Sequence, residues 1–442
     1  MKKMKRLTLI SGIALLAVAF AACPNDNGTR IDPADLPSLR EAWADYFPLG
    51  NIVASFSYTW RHRPADIGNP ARWGLLTRHF DILTAEDEMK PDAINVQAAS
   101  YRWNRAETIV EASQASGMRV HGHTLVWHSQ SPQWLAPPGV SRETAIANMQ
   151  NHIETVMMRF GNNIESWDVL NEAIMTGGPG VGDGFWPWYI TDAGLPWGTN
   201  WNWRQDGVLR RPPIATNYTN WLSPIGFDFV EIAFLEARRV ARENNLDIVL
   251  YYNDYNLNIP RKRFAVYHMV RDINERHREA LGGENLIEAI GMQAHYWLPG
   301  VVGGTNRQPP AAVCVFDVRD SLVRFASLGV YISITEMDIF AGSGRARDQA
   351  IMYARLFNLF RSFTEAQRER GERGLRRVSI WGIDDPSSWR AQYAPLLFNS
   401  RLEPKQAFWA VLDPDAFLTD YAPQYLGEFD GDDFTDWNWR PE

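Results

Sequence analysis

Ser166-Trp167-Asp168-Val169-Leu170-Asn171-Glu172 is the stretch on which the fold of this 442-residue chain turns. Ser166–Leu170 is a short apolar run of strand length, and two hydrogen-bonding residues, Asn171 and Glu172, follow it at once. Outward from there the same unit recurs. Strands are predicted at Ile52–Phe56, Ile82–Ala85 and Arg119–His123 before it, and at Ile248–Tyr252, Ile290–Ala294, Tyr331–Thr335 and Val378–Trp381 after it. Longer amphipathic stretches lie between them. One begins at Ser141, with Ile146, Met149, Ile153, Val156 and Met157 at helical spacing; others run over 227–243, 261–281 and 345–370. Eight strands interleaved with helices, with no internal break in composition, predict an α/β fold, a single (β/α)8 TIM barrel. A doubly wound open sheet usually carries a Gly-rich first turn, and nothing after Phe56 looks like one.

In such barrels chemistry gathers where strands end and βα loops begin. Here each predicted strand runs into reactive or hydrogen-bonding residues: Glu86 and Lys90; His123 and His128; Asn171 and Glu172; Asn253; His295; Glu336 and Asp338; Trp381 and Trp389. Two carboxylates at strand ends are the minimal kit for glycosidic cleavage. One protonates the leaving oxygen, and the other, charged, attacks the anomeric carbon or stabilises its positive charge. Glu172 and Glu336, on the fourth and seventh strands, are that pair. A glutamate at a strand end is often only a loop ion pair, but the neighbours fit catalysis. Asn171 can donate to a sugar hydroxyl, His295 can orient Glu336, and Asp338 can hold that histidine.

The chain resembles glycoside hydrolase family 10, the retaining endo-β-1,4-xylanases, over residues 40 to 412. The motifs that carry the likeness occur in order. They are Thr84-Ala-Glu-Asp-Glu-Met-Lys90, Gly122-His-Thr-Leu-Val-Trp-His-Ser-Gln130, Trp167-Asp-Val-Leu-Asn-Glu172 and Leu250-Tyr-Tyr-Asn-Asp-Tyr255. Gly291-Met-Gln-Ala-His295, Ile334-Thr-Glu-Met-Asp338, Trp381-Gly-Ile-Asp-Asp385 and Ser388-Trp389 complete them. The resemblance implies that Glu172 is the acid/base and Glu336 the nucleophile, with carboxyls about 5 Å apart as retention requires. It implies that Asn171 holds the 2-hydroxyl at the cleavage point, that Gln293 and His295 bond near the nucleophile, and that Trp381 and Trp389 wall the reacting ring. Glu86, Lys90 and His128 would meet hydroxyls on the non-reducing side. Asp87, Gln130, Trp134 and Asn253 are further candidates for sugar contacts. The implied substrate is xylan or xylo-oligosaccharides, with no cofactor and no metal.

Several residues depart from the family's pattern. Asp87 stands where Asn is usual, replacing a donor with an acceptor unless it is protonated; two readings follow, a weakened contact on the non-reducing side or pairing with a nearby cation. Pro91 replaces a Trp, Ser131 a Leu or Thr, and Asp384 a small residue. The largest departure is a long Trp-rich insertion after strand 4, over about 175–225, with Trp186, Trp188, Trp197, Trp201, Trp203 and Trp221 among many Gly and Pro. Long loops in compact domains are often functional. Two readings stand: an extension of the cleft that offers Trp faces to sugars, or a self-packed surface flap.

Composition bounds the remainder. A net charge of -8 gives no electrostatic footprint for nucleic acid, and 19 Trp suit both sugar faces and a large core. Lys2, Lys3, Lys5 and Arg6 precede an apolar run over 7–22, which reads as a signal peptide ending before Cys23. Ala21-Ala22-Cys23 resembles a bacterial lipoprotein signal, although Phe20 replaces the usual Leu. Export is expected, either as a membrane-anchored lipoprotein facing outward or into the periplasm, lipidated at Cys23, or as a plainly secreted protein. Lipidation of Cys23 would leave Cys314 alone. The expected organisation is 1–22 signal, 23–39 tether, 40–412 catalytic barrel and 413–442 an acidic, solvated tail; a monomer is expected. Two rivals remain in view. His121-x-His123 could belong to a metal hydrolase, and the chain could be a non-catalytic xylan-binding surface lipoprotein.

Overall fold

The computed structural model describes residues 35–57, 63–175, 203, 204, 209, 218–301 and 312–434. Eight strands form the barrel: β1 Leu49–Val53, β2 Ile82–Ala85, β3 Arg119–Gly122, β4 Ser166–Asn171, β5 Val249–Asp254, β6 Ala289–Met292, β7 Tyr331–Phe340 and β8 Leu375–Ile380. Each pairs in parallel with the next, and β8 pairs with β1 to close the ring. A helix follows every strand, in order Pro70–His79, Asn104–Ala115, Arg142–Phe160, Phe229–Glu243, Pro260–His277, Val315–Ala326, Ala346–Glu369 and Gln406–Leu412. The fold is the expected (β/α)8 barrel.

Boundaries moved for physical reasons. β1 starts three residues earlier than predicted, because Gly50, which reads as a breaker, sits where a Cβ would lie 2.3 Å from Ser379 Oγ. After Val53 the chain leaves the sheet, and the Ala54 amide donates to Asp66 Oδ2 at 2.8 Å. β7 is twice the predicted length and shifts register against β8 between Ile334 and Met337, a bulge that contains Glu336. Ser141 caps its helix as expected, accepting from the Thr144 amide at 3.2 Å. The helices after β1, β2, β6 and β8 were not predicted, though Asn69-Pro70 is a legible start signal: Asn69 Oδ1 accepts from the Arg72 amide at 3.3 Å.

The described segments that flank the barrel are more firmly packed than the sequence suggests. Leu36 and Leu39, inside the expected tether, are fully buried, so the packed domain begins before residue 40. The expected solvated tail is docked as far as Phe434. Phe429 and Phe434 are buried, and Arg319 takes Asp432 in a two-pronged pair, Nε to Oδ2 at 2.7 Å and Nη2 to Oδ1 at 2.9 Å. Burying each phenyl contributes about 1.5–3 kcal/mol, which outweighs the solvation that an acidic run would otherwise seek. The predicted signal segment and Cys23 lie outside the described residues; Cys314 is a free, half-buried thiol.

Inside the barrel the layer below the active end is polar. His121 shares a hydrogen bond with Ser166 Oγ at 2.8 Å, Tyr251 one with Ser333 Oγ at 2.9 Å, and Arg377 is wholly buried among them. On the outer face of the same strands Gly122 makes room for Trp167, which packs on Phe160 of the helix that follows β3; a Cβ at 122 would meet that ring at 2.2 Å.

Candidate active site

The two glutamates emerge from β4 and from the bulge of β7, and their supports come from β5 and β6 between them. Glu172 has a left-handed backbone, φ 56°, which turns its side chain out of the strand line. β5 holds that turn: the Glu172 amide donates to Asn253 O at 2.9 Å, and the Ile174 amide to Tyr252 Oη at 3.2 Å. The carboxylate accepts from Gln293 Nε2 at 2.9 Å on Oε1 and from Trp127 Nε1 at 3.1 Å on Oε2. Glu336 is 5% exposed, and its amide donates to Gln293 O at 3.0 Å. Its Oε1 accepts from Asn253 Nδ2 at 2.7 Å, and its Oε2 meets His295 Nε2 at 3.1 Å.

One amide cluster joins the pair. Asn171 Oδ1 accepts from Asn253 Nδ2 at 3.1 Å and from Gln293 Nε2 at 3.2 Å. The Asn253 carbonyl oxygen lies 3.1 Å from the same Asn171 atom, and with the amide turned over its nitrogen donates there while its oxygen accepts from Trp127 Nε1 at 3.3 Å. Asn253 is itself held by Thr335 Oγ1 at 2.7 Å, and it fits only because residue 291 is glycine, where a Cβ would lie 2.3 Å from Asn253 Oδ1. The expected chain of contacts behind Glu336 is present: Asp338 Oδ1 meets His295 Nδ1 at 2.8 Å, and Asp338 Oδ2 accepts from Trp389 Nε1 at 2.9 Å.

The electrostatics follow from those contacts. Burial opposes a charged His295, but the Asp338 carboxylate and the hydrogen bonds to Asp338 and Glu336 raise its pKa to about 10. Burial likewise pushes Glu336 up, yet the His295 hydrogen bond and the charges of His123 and His295 outweigh it, holding Glu336 below its ordinary 4.5. His295 is therefore an imidazolium at neutral pH and Glu336 a carboxylate. The stabilisation from the charged His295 is complete below pH 6.5 and is lost as pH rises through about 10. The acidic limb of kcat/KM should fall below pH 4.5, and His295→Ala should move it above that value. A pH profile on an aryl xyloside checks this; a limb that stays put would detach His295 from the charge of Glu336.

His121 and His123 both turn to one carboxylate: His121 Nε2 lies 3.1 Å from Asp168 Oδ1 and His123 Nδ1 lies 2.8 Å from Asp168 Oδ2. Burial opposes ionisation of Asp168, but the two imidazoles outweigh it and hold its pKa well below the usual range. His123, Asp168 and Glu336 bring ligand atoms within 4.8 Å of one another. His121 is not part of that group, since its two ring nitrogens face Asp168 Oδ1 and Ser166 Oγ, so the His-x-His pair of the metal-hydrolase reading does not converge on one site.

The sugar-contact candidates fall into different places. Trp381 is 6% exposed and meets His123 and His295 edge-on, whereas Trp389 is 38% exposed at the rim. Lys90 Nζ lies 2.8 Å from Asp87 Oδ1 and 2.9 Å from Gln130 Oε1, with Gln130 Nε2 donating to Asp87 at 3.0 Å. Asp87 thus pairs with a cation, the second of the two readings of that departure. Glu86, expected to meet hydroxyls on the non-reducing side, is 1% exposed and paired with buried Arg63. His128 lies beside Tyr218, at a recess behind Glu172 that Trp127, Thr219 and Trp221 also line. Trp134 is half-buried, its indole donating to Asn95 O at 3.2 Å.

Trp127, which donates to Glu172, was not among the expected site residues, and His123, noted only as a strand-end histidine, lies beside Glu336. Both lie in the quoted motif 122–130, at the end of β3, which was the available signal. The departures also find places. Pro91 opens a short helix, Pro91–Ile94, and Ser131 Oγ donates to Trp127 O at 2.8 Å. The insertion's described residues are packed: Trp203 is fully buried and Trp221 nearly so. Trp221 Nε1 donates to Trp127 O at 3.0 Å, the Thr219 amide to His128 O at 3.0 Å, and Arg204 Nη2 to Glu231 Oε2 at 2.9 Å. Trp186, Trp188, Trp197 and Trp201 lie outside the described residues.

A sequence profile described as Glycosyl hydrolase family 10 matches residues 38–414. Endo-1,4-beta-xylanase A of Thermotoga maritima is 29% identical over 86% of this chain, which spans only 31% of that protein's length. An endo-1,4-beta-xylanase of Geobacillus stearothermophilus is 30% identical, covering 86% of this chain and 99% of its own. Among solved structures, a GH10 xylanase with a bacterial Ig-like domain from termite gut superposes with TM-score 0.67 at 28% identity, covering 90% of this chain and 81% of that one. An endo-1,4-beta-xylanase from Caldicellulosiruptor owensensis gives TM-score 0.64 at 26% identity, covering 85% and 99%.

Proposed function

The chain belongs to glycosyl hydrolase family 10, and from that membership we propose a retaining endo-hydrolase of β-1,4-xylosidic bonds in xylan. The observation that carries the reading is the single amide cluster of Asn171, Asn253 and Gln293, which supports both Glu172 and Glu336. Glu336, ionised and aimed by Asn253 and His295, attacks the anomeric carbon. Glu172 gives its proton to the leaving oxygen, then takes one from the water that releases the sugar. Asn171 and Gln293 meet the hydroxyls at the cleavage point, and polar atoms fixed before substrate arrives need no reorganisation there. Trp381 and Trp389 close on the reacting ring and leave little room for a hydroxymethyl at C5, which selects a pentose. Reducing ends released from glucuronoxylan, compared with those from carboxymethylcellulose, test this. A preference for cellulose, or a protein that binds xylan without cutting it, would overturn the assignment.

The insertion serves polymer binding in this reading. Removing only 178–200 spares Trp203, Thr219 and Trp221, which brace the acid/base region. That variant should hydrolyse an aryl xylobioside at the wild-type rate and xylan several times more slowly; equal rates on both would make the segment a surface flap. Export with lipid on Cys23 is proposed from the N-terminal pattern, and the mass of the mature N-terminal peptide tests it. A diacylglyceryl cysteine is expected, whereas an unmodified end elsewhere means plain cleavage.

A further inference from the structure

The seam that runs from β8 across β1 to β2 buries an ion network. Arg63, Asp66, Arg72, Glu86 and Asp384 are each no more than 5% exposed. Arg63 pairs with Glu86 and places Nη2 2.9 Å from Asp66 Oδ2. Arg72 Nε donates to Asp66 Oδ1 at 2.7 Å, Nη1 to Asp384 Oδ1 at 2.7 Å, and Nη2 to Ser387 Oγ at 3.2 Å. Ser387 Oγ in turn donates to Asp384 Oδ1 at 2.5 Å. Asp66 follows β1, Glu86 follows β2 and Asp384 follows β8, so one chain of charges joins three βα connections.

The connection after β8 is the one that needs holding. It carries Trp389, 38% exposed, whose ring meets His295 and Phe340 edge-on and whose tip is tethered by the hydrogen bond to Asp338. That bond continues through His295 to Glu336. Asp384 lies five residues before Trp389, and Arg72 grips the intervening turn at two points, Asp384 and Ser387. A planar guanidinium with several fixed partners imposes geometry as well as attraction.

We propose that Asp384, clamped by Arg72, is a positioning residue that sets where Trp389 stands over the cleavage point. The inference rests on the glycosidase reading above. A purely structural role would instead tie activity to stability, so the test must separate them. Asp384→Ala leaves Arg72 short of a partner in a buried site and can fail to fold. Arg72→Met/Asp384→Leu removes both charges together and fills the space with apolar groups, a change that buried pairs often tolerate. Melting temperature, kcat and KM on xylotetraose are measured for wild type, the double variant, Asp384→Asn and Ser387→Ala.

The double variant should melt within a few degrees of wild type yet lose about tenfold or more in kcat/KM, as small misplacements of a binding group do. Asp384→Asn, which keeps an acceptor for Arg72, should recover most of that loss, and Ser387→Ala should lose about twofold with an unchanged melting temperature. A stable double variant with wild-type kcat/KM would overturn the proposal. So would an unfolded double variant accompanied by no change in Ser387→Ala. A wild-type protein that does not cleave xylotetraose would instead sink the glycosidase reading itself.

Discussion

Glu336→Gln is expected to lose about a hundred-thousandfold in kcat on both xylan and an aryl xylobioside while keeping its fold. That is about 7 kcal/mol of barrier, and it follows from what the amide lacks. Gln has the shape of Glu and can still accept from Asn253 Nδ2, the contact that Oε1 makes at 2.7 Å. It cannot form the glycosyl ester, because an amide is a poor nucleophile with no charge to spend on the anomeric carbon. His295, raised to about 10 partly by Glu336, should become easier to deprotonate in the variant. The loss should be large for every leaving group, since each substrate passes through the same glycosyl ester, whose bond to residue 336 forms as the leaving oxygen departs. Rates on the two substrates, with circular dichroism to show an intact fold, check this; a variant that keeps more than a hundredth of the activity contradicts it.

Glu172→Ala is expected to behave differently, and the difference identifies its role. On xylan, where the leaving sugar needs a proton, the loss should be about a hundred- to ten-thousandfold. An aryl leaving group that departs as a stable phenolate needs no proton, so its first step should survive and a burst of phenolate should appear. The glycosyl-enzyme then persists because no base activates water. Azide needs no base, and it has room where the carboxylate stood between Trp127 Nε1 and Gln293 Nε2. Added azide should restore turnover and give a β-xylosyl azide; no rescue, or equal losses on both substrates, would mean that Glu172 is not the acid/base.

Much of this architecture could be read from the chain, and the limits have physical causes. Ser166–Glu172 was legible because a buried strand and its polar end are contiguous, and five of the eight strands shifted by at most two residues at either end, while β8 starts three residues before its predicted Val378. β1 and β7 did worse: Gly50 reads as a breaker until Ser379 is seen against it, and the bulge at Glu336 depends on pairing with β8. Charges that meet only in space were beyond sequence reading. Asp384 looked like an odd substitution, and its partner Arg72 lies 312 positions away. Glu86 matched a motif, yet its burial against Arg63 is a tertiary fact. The acidic tail looked solvated because sequence does not reveal that Arg319 waits for Asp432. Trp127 and His123 were within reach, since the motif that contains them was in hand, but a side chain's direction at a strand end is set by the barrel.

The central claim, that Glu336 bonds covalently to the sugar, is tested most directly by trapping. A 2-deoxy-2-fluoro xylobioside with a dinitrophenolate leaving group slows the second step more than the first. Incubated with the enzyme, it should add the mass of one fluoroxylobiosyl group, and peptide mapping should place it on Glu336, with none on Glu336→Gln. A label on any other residue, or an enzyme that turns over xylan to products of inverted anomeric configuration, would contradict the account.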